Sequence, residues 1–325
     1  MQATIPLDQN GIHHGHLQLA YSRDDSAWGA LMIPITVIQH GSGPTALLTG
    51  GNHGDEYEGP VALHDLAATL TPDQITGRVI IIPQMNHPAF LAGTRTSPID
   101  KGNLNRSFPG DAKGTVTQKI AAYFQTTLVP LADIVLDFHS GGKTLDFVPF
   151  AAAHLLDNAG QQAACIAAMQ AFNAPYSVML REIDNVGMYD TAVEDMGKVF
   201  VSTELGGGGS ATAKSIQIAK TGLRNVLIHA GILGGEMNLK PSTTIDMVDG
   251  ESFTFASHSG LFEPLIDLGD TVQKDQPIGL IWNTEHTGQP AQTLHAAGHG
   301  ILIARHFPGL IKIGDCAGVI GLPRD

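Results

Sequence analysis

The chain has 325 residues, enough for about two domains and a sizeable core. Hydrophobic residues make up 43% of it and charged residues 15%, which is typical of a globular α/β protein and excludes a disordered or fibrous chain. The net charge is −13 without any run of basic residues, which argues against a nucleic-acid partner because phosphate binding needs clustered lysine and arginine.

Two cysteines, Cys165 and Cys316, stand far apart and outside any CxxC pattern. A disulfide framework is therefore excluded, and a reducing, cytoplasmic location is expected. The first residues lack the basic and apolar regions of a signal peptide, so none is expected. No apolar run approaches the roughly 20 residues that span a bilayer, so we expect no membrane partner.

Strand and helix patterns alternate along the first two thirds of the chain. The predicted elements are a strand over residues 31–38, a helix over 57–71, a strand over 78–83, a helix over 117–128, a strand ending near 139, a strand over 198–205 and a helix over 215–231. Residues 86–113 show no clear periodicity and are interpreted as a long functional loop. The alternation predicts an α/β fold with a mixed, largely parallel sheet and helices on both faces.

The composition changes near residue 236. Beyond it, short β runs are separated by Gly, Pro and Asp, with a cadence over residues 260–279 like the barrel-sandwich of biotinyl and lipoyl carriers. Lys274 lacks the Met-Lys context of a modified lysine, so we predict this β architecture without the carrier function. We therefore predict a catalytic domain over residues 1–236 and a smaller, all-β, barrel-sandwich-like domain over 237–325.

Two apolar runs end in glycine beside a histidine. The first, residues 48–56, ends with His53 and Glu56, and the second, residues 134–142, carries His139. Positions i and i+3 lie on one face of a helical turn, so His53 and Glu56 can converge on one ion, with the third ligand from another strand end. The pattern predicts one zinc ion per chain with an open position for water, although cobalt, manganese or iron also suit such donors.

The alternative for His53 and Glu56 alone is a pair of polar residues at a loop–helix junction. Asp137 and Asp55 stand close to these residues in sequence. Either carboxylate can orient a metal-binding histidine, and either can equally be a buried turn carboxylate.

Glu204 ends a third apolar strand and precedes the glycines of residues 206–209. A carboxylate near zinc can take a proton from the attacking water and deliver it to the leaving amine. The alternative is a glutamate that faces solvent. The glycine run lacks the spacing of nucleotide-binding loops.

Arg95 and Arg106 lie in the long polar loop, where arginines bind carboxylates or stabilise an oxyanion, unless they are surface residues.

The motifs HGDE, NLNR, DFHSGG and TELGGGG occur in this order. The set resembles the succinylglutamate desuccinylase/aspartoacylase group of zinc carboxypeptidase-like enzymes over residues 45–235, and more weakly in the β-rich tail. The resemblance implies hydrolysis of the acyl amide of an N-acyl amino acid, a small-molecule substrate. By position it implies the zinc ligands His53, Glu56 and His139, the catalytic glutamate Glu204, the α-carboxylate-binding pair Asn105 and Arg106, and Arg95 as the residue that polarises the scissile carbonyl.

Asn103 stands where the family pattern has aspartate. The sequences around this position and around His53 look most like the ectoine-degradation branch, whose members are N-α-acetyl-L-2,4-diaminobutyrate deacetylases. Such a substrate carries a cationic amine, so its pocket is expected to offer an acid. The acids available before Glu204 are Glu182, Asp184, Asp190, Glu194 and Asp195, unless these are simply solvated.

Other functions stay open at this point. Deacylation of an acidic amino acid and carboxypeptidase action on small peptides use the same chemistry. A binding module without catalytic activity is a further alternative, and the loss of a metal ligand or of the catalytic base would favour it. A carrier protein is another, and modification of a lysine in the C-terminal region would favour that function. The sequence also leaves homo-oligomerisation open.

Overall fold

The computed structural model describes residues 1–180, 185–247 and 252–324. Up to residue 247 the strands are β1 (Gln2–Ala3), β2 (Gly11–Ala20), β3 (Ala30–His40), β4 (Thr45–Gly50), β5 (Gly77–Ile82), β6 (Ile134–His139), β7 (Leu145–Phe147), β8 (Phe150–His154), β9 (Tyr176–Leu180), β10 (Val199–Glu204) and β11 (Thr243–Met247). After residue 252 they are β12 (Phe253–Phe255), β13 (Gly260–Pro264), β14 (Thr271–Val272), β15 (Pro277–Trp282), β16 (Gln292–His295), β17 (Gly300–His306), β18 (Leu310–Ile311) and β19 (Cys316–Pro323). The α-helices are α1 (Glu58–Thr69), α2 (His87–Ala92), α3 (Val116–Tyr123), α4 (Ala159–Phe172), α5 (Tyr189–Glu194) and α6 (Ala213–His229).

The main sheet has the strand order β1-β2-β3-β5-β4-β6-β10-β8-β9-β11-β19-β17-β14. Its central strands β5, β4, β6 and β10 are parallel, whereas β2, β3 and β8 join them with antiparallel pairing. The sheet is therefore mixed, with helices on both faces, and the predicted fold class is confirmed. None of the helices in the described parts of the chain is both long and apolar enough to cross a membrane.

The central strands are buried on both faces. Leu48 and Leu136 belong to one apolar cluster, which contains residues of α1, α4 and α6. Their neighbours Leu47 and Val135 belong to a second cluster, on the face covered by α3 and α5. Because alternate residues of each strand face opposite layers, these strands are apolar throughout instead of alternating.

The register of the central strands brings their carboxyl ends together. Gly50 of β4 pairs with Phe138 of β6, and His139 of β6 pairs with Glu204 of β10. The residues that follow these strands therefore meet at one edge of the sheet, which is where open α/β sheets bind ligands.

The predicted loop of residues 86–113 contains regular structure. It includes the short helix α2 and a 3₁₀ turn over Leu104–Arg106. Helix α2 spans six residues and is followed by Gly93, whose φ of 59° is left-handed. An element this short cannot show the periodicity that identifies a helix in sequence. The helix predicted over residues 117–128 is α3 followed by a π-helical turn over Phe124–Leu128.

Strands from the C-terminal region contribute to two sheets. The strands β16, β15, β13 and β18 form a separate antiparallel sheet in that order. The strands β11, β19 and β17 extend the main sheet, and β7 pairs with β17. This pairing carries the C-terminal region up to the carboxyl ends of the central strands, while the domain boundary after residue 236 stays a prediction.

Candidate active site

His53, Glu56 and His139 meet at the carboxyl ends of β4 and β6. Nδ1 of His53 lies 2.7 Å from Oε1 of Glu56, and Nδ1 of His139 lies 3.1 Å from Oε2 of the same carboxylate. One donor atom from each residue lies within 4.8 Å of the other two, and no other group of this kind occurs among the residues that the structure describes. These side chains could hold one metal ion.

The donor set of this group fits zinc. Two imidazoles and one carboxylate form the protein ligands of many catalytic zinc sites. Nε2 of His139 lies 2.7 Å from Oδ2 of Asp137, so a neutral imidazole keeps its proton on that side and presents Nδ1 to the centre of the group. The group is also buried, since His53 and Glu56 are almost inaccessible to solvent.

The two carboxylates near this group have different contacts. Asp137 contacts His139 and also accepts a 2.7 Å hydrogen bond from Oγ1 of Thr49, so it can orient the histidine. Asp55 instead accepts the backbone N–H of Lys143 at 2.8 Å and ties two loops together. Of the two roles considered for Asp55 from the sequence, the structure therefore supports a buried carboxylate in a turn and not a partner of a metal-binding histidine.

The charges of the three residues are coupled. Burial lowers the pKa of His53, and the neighbouring Glu56 offsets only part of this effect. Burial also acts to lower the pKa of His139, but Asp137 and Glu56 outweigh it and hold that pKa well above its usual value. Burial opposes ionisation of Glu56, yet the two histidines hold the pKa of Glu56 below its ordinary range. The group therefore favours an ionised carboxylate at its centre.

Glu204 lies beside the three donor residues because it pairs in register with His139. Its Oε2 is buried and has no hydrogen-bond partner within the described ranges. Burial and the nearby carboxylate of Glu56 raise the pKa of Glu204 to about 8. A carboxyl group in this environment can take up and release a proton near neutral pH.

Arg95 reaches the same group from the loop after α2. Its Nη1 lies 3.8 Å from Oε1 of Glu56 and 3.4 Å from Nδ1 of His53, and half of its side chain is exposed. The backbone N–H of Gly54 donates to the carbonyl of Thr94 at 3.0 Å, which fastens the Arg95 loop to the His53 loop. A Cβ on Gly54 would collide with the carbonyl group of Ala89 in α2. The glycine therefore allows the close approach that brings Arg95 into the site.

The amide of Asn105 has a defined orientation. Its Oδ1 accepts the backbone N–H of Tyr189 at 3.2 Å and an N–H of Asn52 at 3.3 Å. A backbone N–H can only donate, so the oxygen of Asn105 must point at Tyr189. The amide nitrogen is then the atom of Asn105 that is left to face a ligand, and Arg106 follows it along the cavity wall.

Asn103 caps the 3₁₀ turn that carries Asn105 and Arg106. Its Oδ1 accepts the backbone N–H of Asn105 at 3.1 Å, and its backbone carbonyl accepts Oγ of Ser107 at 2.7 Å. Asparagine and aspartate oxygens both cap such turns. An aspartate at this position would form the same cap and add a negative charge to the cavity wall.

A cavity of about 490 Å³ connects these residues. Its polar end is formed by the side chains described above, and its other walls are largely apolar. The C-terminal part of the chain contributes Met247, Phe253, Phe255, Cys316 and Val319 to these walls. Sequence reasoning did not find these residues, because they are ordinary apolar strand positions until the sheet brings them to the site.

The glycine run after Glu204 packs against the chain's own backbone. The carbonyl of Gly206 accepts the N–H of Gly141, and the N–H of Gly208 donates to the carbonyl of Leu145 at 3.1 Å. A Cβ on Gly207 would collide with the carbonyl of Leu145. The run therefore allows β10 to end against the loop that follows His139.

The five acids considered as binding partners of a cationic substrate side chain differ in their positions relative to the cavity. Asp190 lines the cavity, whereas Glu194 contacts His154 and Asp195 is exposed. Glu182 and Asp184 lie outside the described residues. His154 is buried, and its Nδ1 lies 2.9 Å from Oε1 of Glu194.

Comparisons with known proteins point to one family. Residues 42–230 match the succinylglutamate desuccinylase/aspartoacylase catalytic domain. The chain is 50% identical to the N-alpha-acetyl-L-2,4-diaminobutyric acid deacetylase of Halomonas elongata, over 98% of this chain and 94% of that one.

Solved structures agree with this result. The product-bound ectoine utilization protein EutE (DoeB) of Ruegeria pomeroyi is 64% identical, with a TM-score of 0.98 over 99% of this chain and 98% of that one. A protein from a Silicibacter species, described as a succinylglutamate desuccinylase, is 66% identical with a TM-score of 0.97 over the same shares.

Proposed function

Because this chain belongs to the succinylglutamate desuccinylase/aspartoacylase family, we propose that it hydrolyses the acetyl amide of N-α-acetyl-L-2,4-diaminobutyrate, releasing acetate and diaminobutyrate. The observation that carries this proposal is the likeness, along nearly the whole chain, to a relative named for that reaction. The presence of all the residues that the resemblance assigns to zinc, base and substrate carboxylate supports an enzyme over a binding module.

We propose that His53, Glu56 and His139 hold one zinc ion. Their donor atoms converge, and Asp137 orients His139 as outer partners of metal-binding histidines do. When bound there, zinc would polarise the scissile carbonyl and lower the pKa of water.

The remaining residues bind and orient the substrate. The guanidinium of Arg106 and the amide nitrogen of Asn105 bind the α-carboxylate, which fixes the acetylated nitrogen relative to the strand ends. Arg95 donates to the carbonyl oxygen as negative charge develops on it. The position of Nη1 close to Glu56 supports this role.

Glu204 moves the proton. Its Oε2 takes a proton from the water that attacks the acetyl carbonyl, and the same atom then gives the proton to the departing α-nitrogen. The C–N bond breaks in this second step, and acetate and the free amine leave. The burial of Oε2, and its lack of a partner among the described residues, support this assignment.

Acidic substrates are a second candidate. The Silicibacter relative is described as a succinylglutamate desuccinylase, and the catalytic groups above act on any N-acyl amino acid that carries an α-carboxylate. Both arginines that line the described part of the cavity, Arg95 and Arg106, already have roles in this mechanism. The relative named for the diaminobutyrate reaction, 50% identical over nearly the whole chain, favours the first candidate.

The test is acetate or succinate release from a substrate panel, with zinc-loaded and chelator-treated protein. The panel contains N-α-acetyl-L-2,4-diaminobutyrate, N-acetylaspartate, N-succinylglutamate and a small peptide with a free carboxyl end. We expect metal-dependent turnover of the first substrate far above the others. A preference for either dicarboxylate, or for the peptide, would keep the chemistry and contradict the substrate.

We also propose a cytoplasmic location, because Cys165 and Cys316 are both free thiols. The boundary of a β-rich C-terminal domain after residue 236 is likewise a proposal. It rests on the change from long helices to short strands at that point.

A further inference from the structure

The position of the Arg95 guanidinium depends on the loop that carries it, because half of the Arg95 side chain is exposed to solvent. From this loop its Nη1 reaches to within 3.8 Å of Oε1 of Glu56. One anchor of the loop is the hydrogen bond from the backbone N–H of Gly54 to the carbonyl of Thr94, 3.0 Å long. A second anchor comes from a different part of the chain.

This second anchor is the side chain of Lys143, which belongs to the loop after β6. Its Nζ donates a hydrogen bond to the carbonyl of Gly93 at 2.5 Å, two residues before Arg95. Gly93 follows the last turn of α2 and has a left-handed φ of 59°. An ammonium group is favoured at the carboxyl end of a helix, where the last carbonyls carry partial negative charge.

The glycine run after Glu204 leaves room for the stem of Lys143. A Cβ built on Gly209 would lie 2.6 Å from Cγ of Lys143, so a side chain at this position would displace the stem. The backbone N–H of Gly209 also donates to the carbonyl of Gly142, the residue before Lys143. The run therefore packs against both the backbone and the side chain of the loop that reaches Gly93.

The backbone of Lys143 is fixed to the loop that follows β4. Its N–H donates to Oδ2 of Asp55 at 2.8 Å. Asp55 is buried and stands between the proposed metal ligands His53 and Glu56 in sequence. Lys143 thus contacts the loop of these ligands through its backbone and the loop of Arg95 through its side chain.

We infer that Lys143 is a positioning residue, which holds the Arg95 loop against the metal-binding group and so places the Arg95 guanidinium at the scissile carbonyl. This inference rests on the proposed function. Lys143 is not among the described residues that line the cavity, so it acts through Arg95. A displaced Arg95 would weaken binding of the transition state more than that of the substrate, whose α-carboxylate is bound separately by Asn105 and Arg106.

The first test is Lys143→Met, which removes the ammonium group but keeps an unbranched stem. With zinc-loaded enzyme and N-α-acetyl-L-2,4-diaminobutyrate, we expect kcat to fall about 3- to 30-fold, as for the loss of one hydrogen bond, while KM changes less than about twofold. Lys143→Arg keeps a charged donor for Gly93 and should retain most of kcat. An unchanged kcat in Lys143→Met, or an effect on KM alone, would overturn the inference.

A second variant at Arg95 separates positioning from a general loss of structure. Arg95→Met should lower kcat by itself, and the addition of Lys143→Met should then have little further effect, because residues that act through one contact are not additive. A further fall as large as that in the wild-type background would show that Lys143 acts independently of Arg95. Lys113→Met, at an exposed lysine of the same long loop, is the control and should keep kcat and KM.

Hydrogen exchange provides a readout that needs no substrate. We expect the backbone N–H of Gly54, which donates to Thr94, to exchange faster in Lys143→Met than in the wild type, while the central strands keep their protection. Unchanged exchange at Gly54 would contradict the role of Lys143 as an anchor. Zinc-loaded wild-type enzyme that is inactive on the whole substrate panel would instead refute the proposed function, and the exchange at Gly54 would still decide whether Lys143 holds this loop.

Discussion

The amide nitrogen of Asn52 donates to Oδ1 of Asn105 and to Oδ2 of Asp137, each at 3.3 Å. Asn52 is completely buried. Asp137 orients His139, and Asn105 belongs to the proposed α-carboxylate site. One buried side chain therefore joins the metal-binding group to the substrate-binding turn, across 53 and 85 residues of sequence.

Replacement of Asn52 by alanine should weaken substrate binding. Asn105 would keep its contact with Tyr189 but lose the second donor that holds its amide. We expect KM for the N-acetyl substrate to rise roughly 3- to 10-fold, the usual value of a neutral hydrogen bond, with a smaller change in kcat. Steady-state kinetics on zinc-loaded protein measure both quantities. A fall in kcat with unchanged KM would place the effect of Asn52 on catalysis instead.

Replacement of Glu204 by glutamine should separate chemistry from metal binding. The amide keeps the shape of the side chain but cannot accept the proton of water. We expect kcat to fall about 100- to 10,000-fold, while the zinc content, measured by elemental analysis, stays near one per chain. Undiminished turnover in this variant would remove Glu204 from the mechanism.

Loss of the metal should abolish activity, and zinc should restore it. Chelator-treated wild-type protein is expected to regain turnover on addition of zinc and to melt at a lower temperature than the loaded protein, since a ligand of the native state stabilises it. His139→Ala should bind zinc weakly and stay inactive after the addition. His64→Ala is the control, because this exposed histidine contacts Gln84 and is not part of the donor group. Full activity of chelated protein would contradict a metal enzyme.

Gly54 should tolerate no side chain. A Cβ at this position meets the carbonyl of Ala89, so Gly54→Ala must displace α2 and with it the loop of Arg95. We expect a loss of about 1–3 kcal/mol in the free energy of unfolding, typical of overpacking, together with reduced kcat. Urea denaturation measures the former.

The control for this variant is Gly234→Ala. Nothing lies within 4 Å of a Cβ built on Gly234, so stability and activity should hold. Equal stability of the two variants would show that the contact between Gly54 and Ala89 can relax without cost.

Much of the fold could be predicted from local sequence. The central strands β4, β6 and β10 are apolar throughout because both faces are buried, and runs of this kind are visible without any knowledge of the fold. Helices α1 and α6 showed the longer period of an amphipathic helix. No predicted element covers α4, since its alanine-rich sequence offers little contrast between faces, and α2 and α5 are too short for a periodic signal.

The sequence by itself determined which chemical groups stand at the strand ends. His53 and Glu56 are close because they stand three positions apart, and the family motifs add His139 and Glu204 to the predicted site. Local spacing can predict such contacts because the backbone conformation of one turn is enough to make them.

Only the tertiary structure decided which distant groups face one another. It brought Asn52 to Asn105, it directed Asp190 into the cavity and Glu194 to His154, and it added apolar walls from the C-terminal strands. These contacts depend on the order of strands in the sheet and on the close packing of loops at glycines. Neither property is encoded in the periodicity of any single segment, so the residues concerned had no signal in sequence until the chain folded.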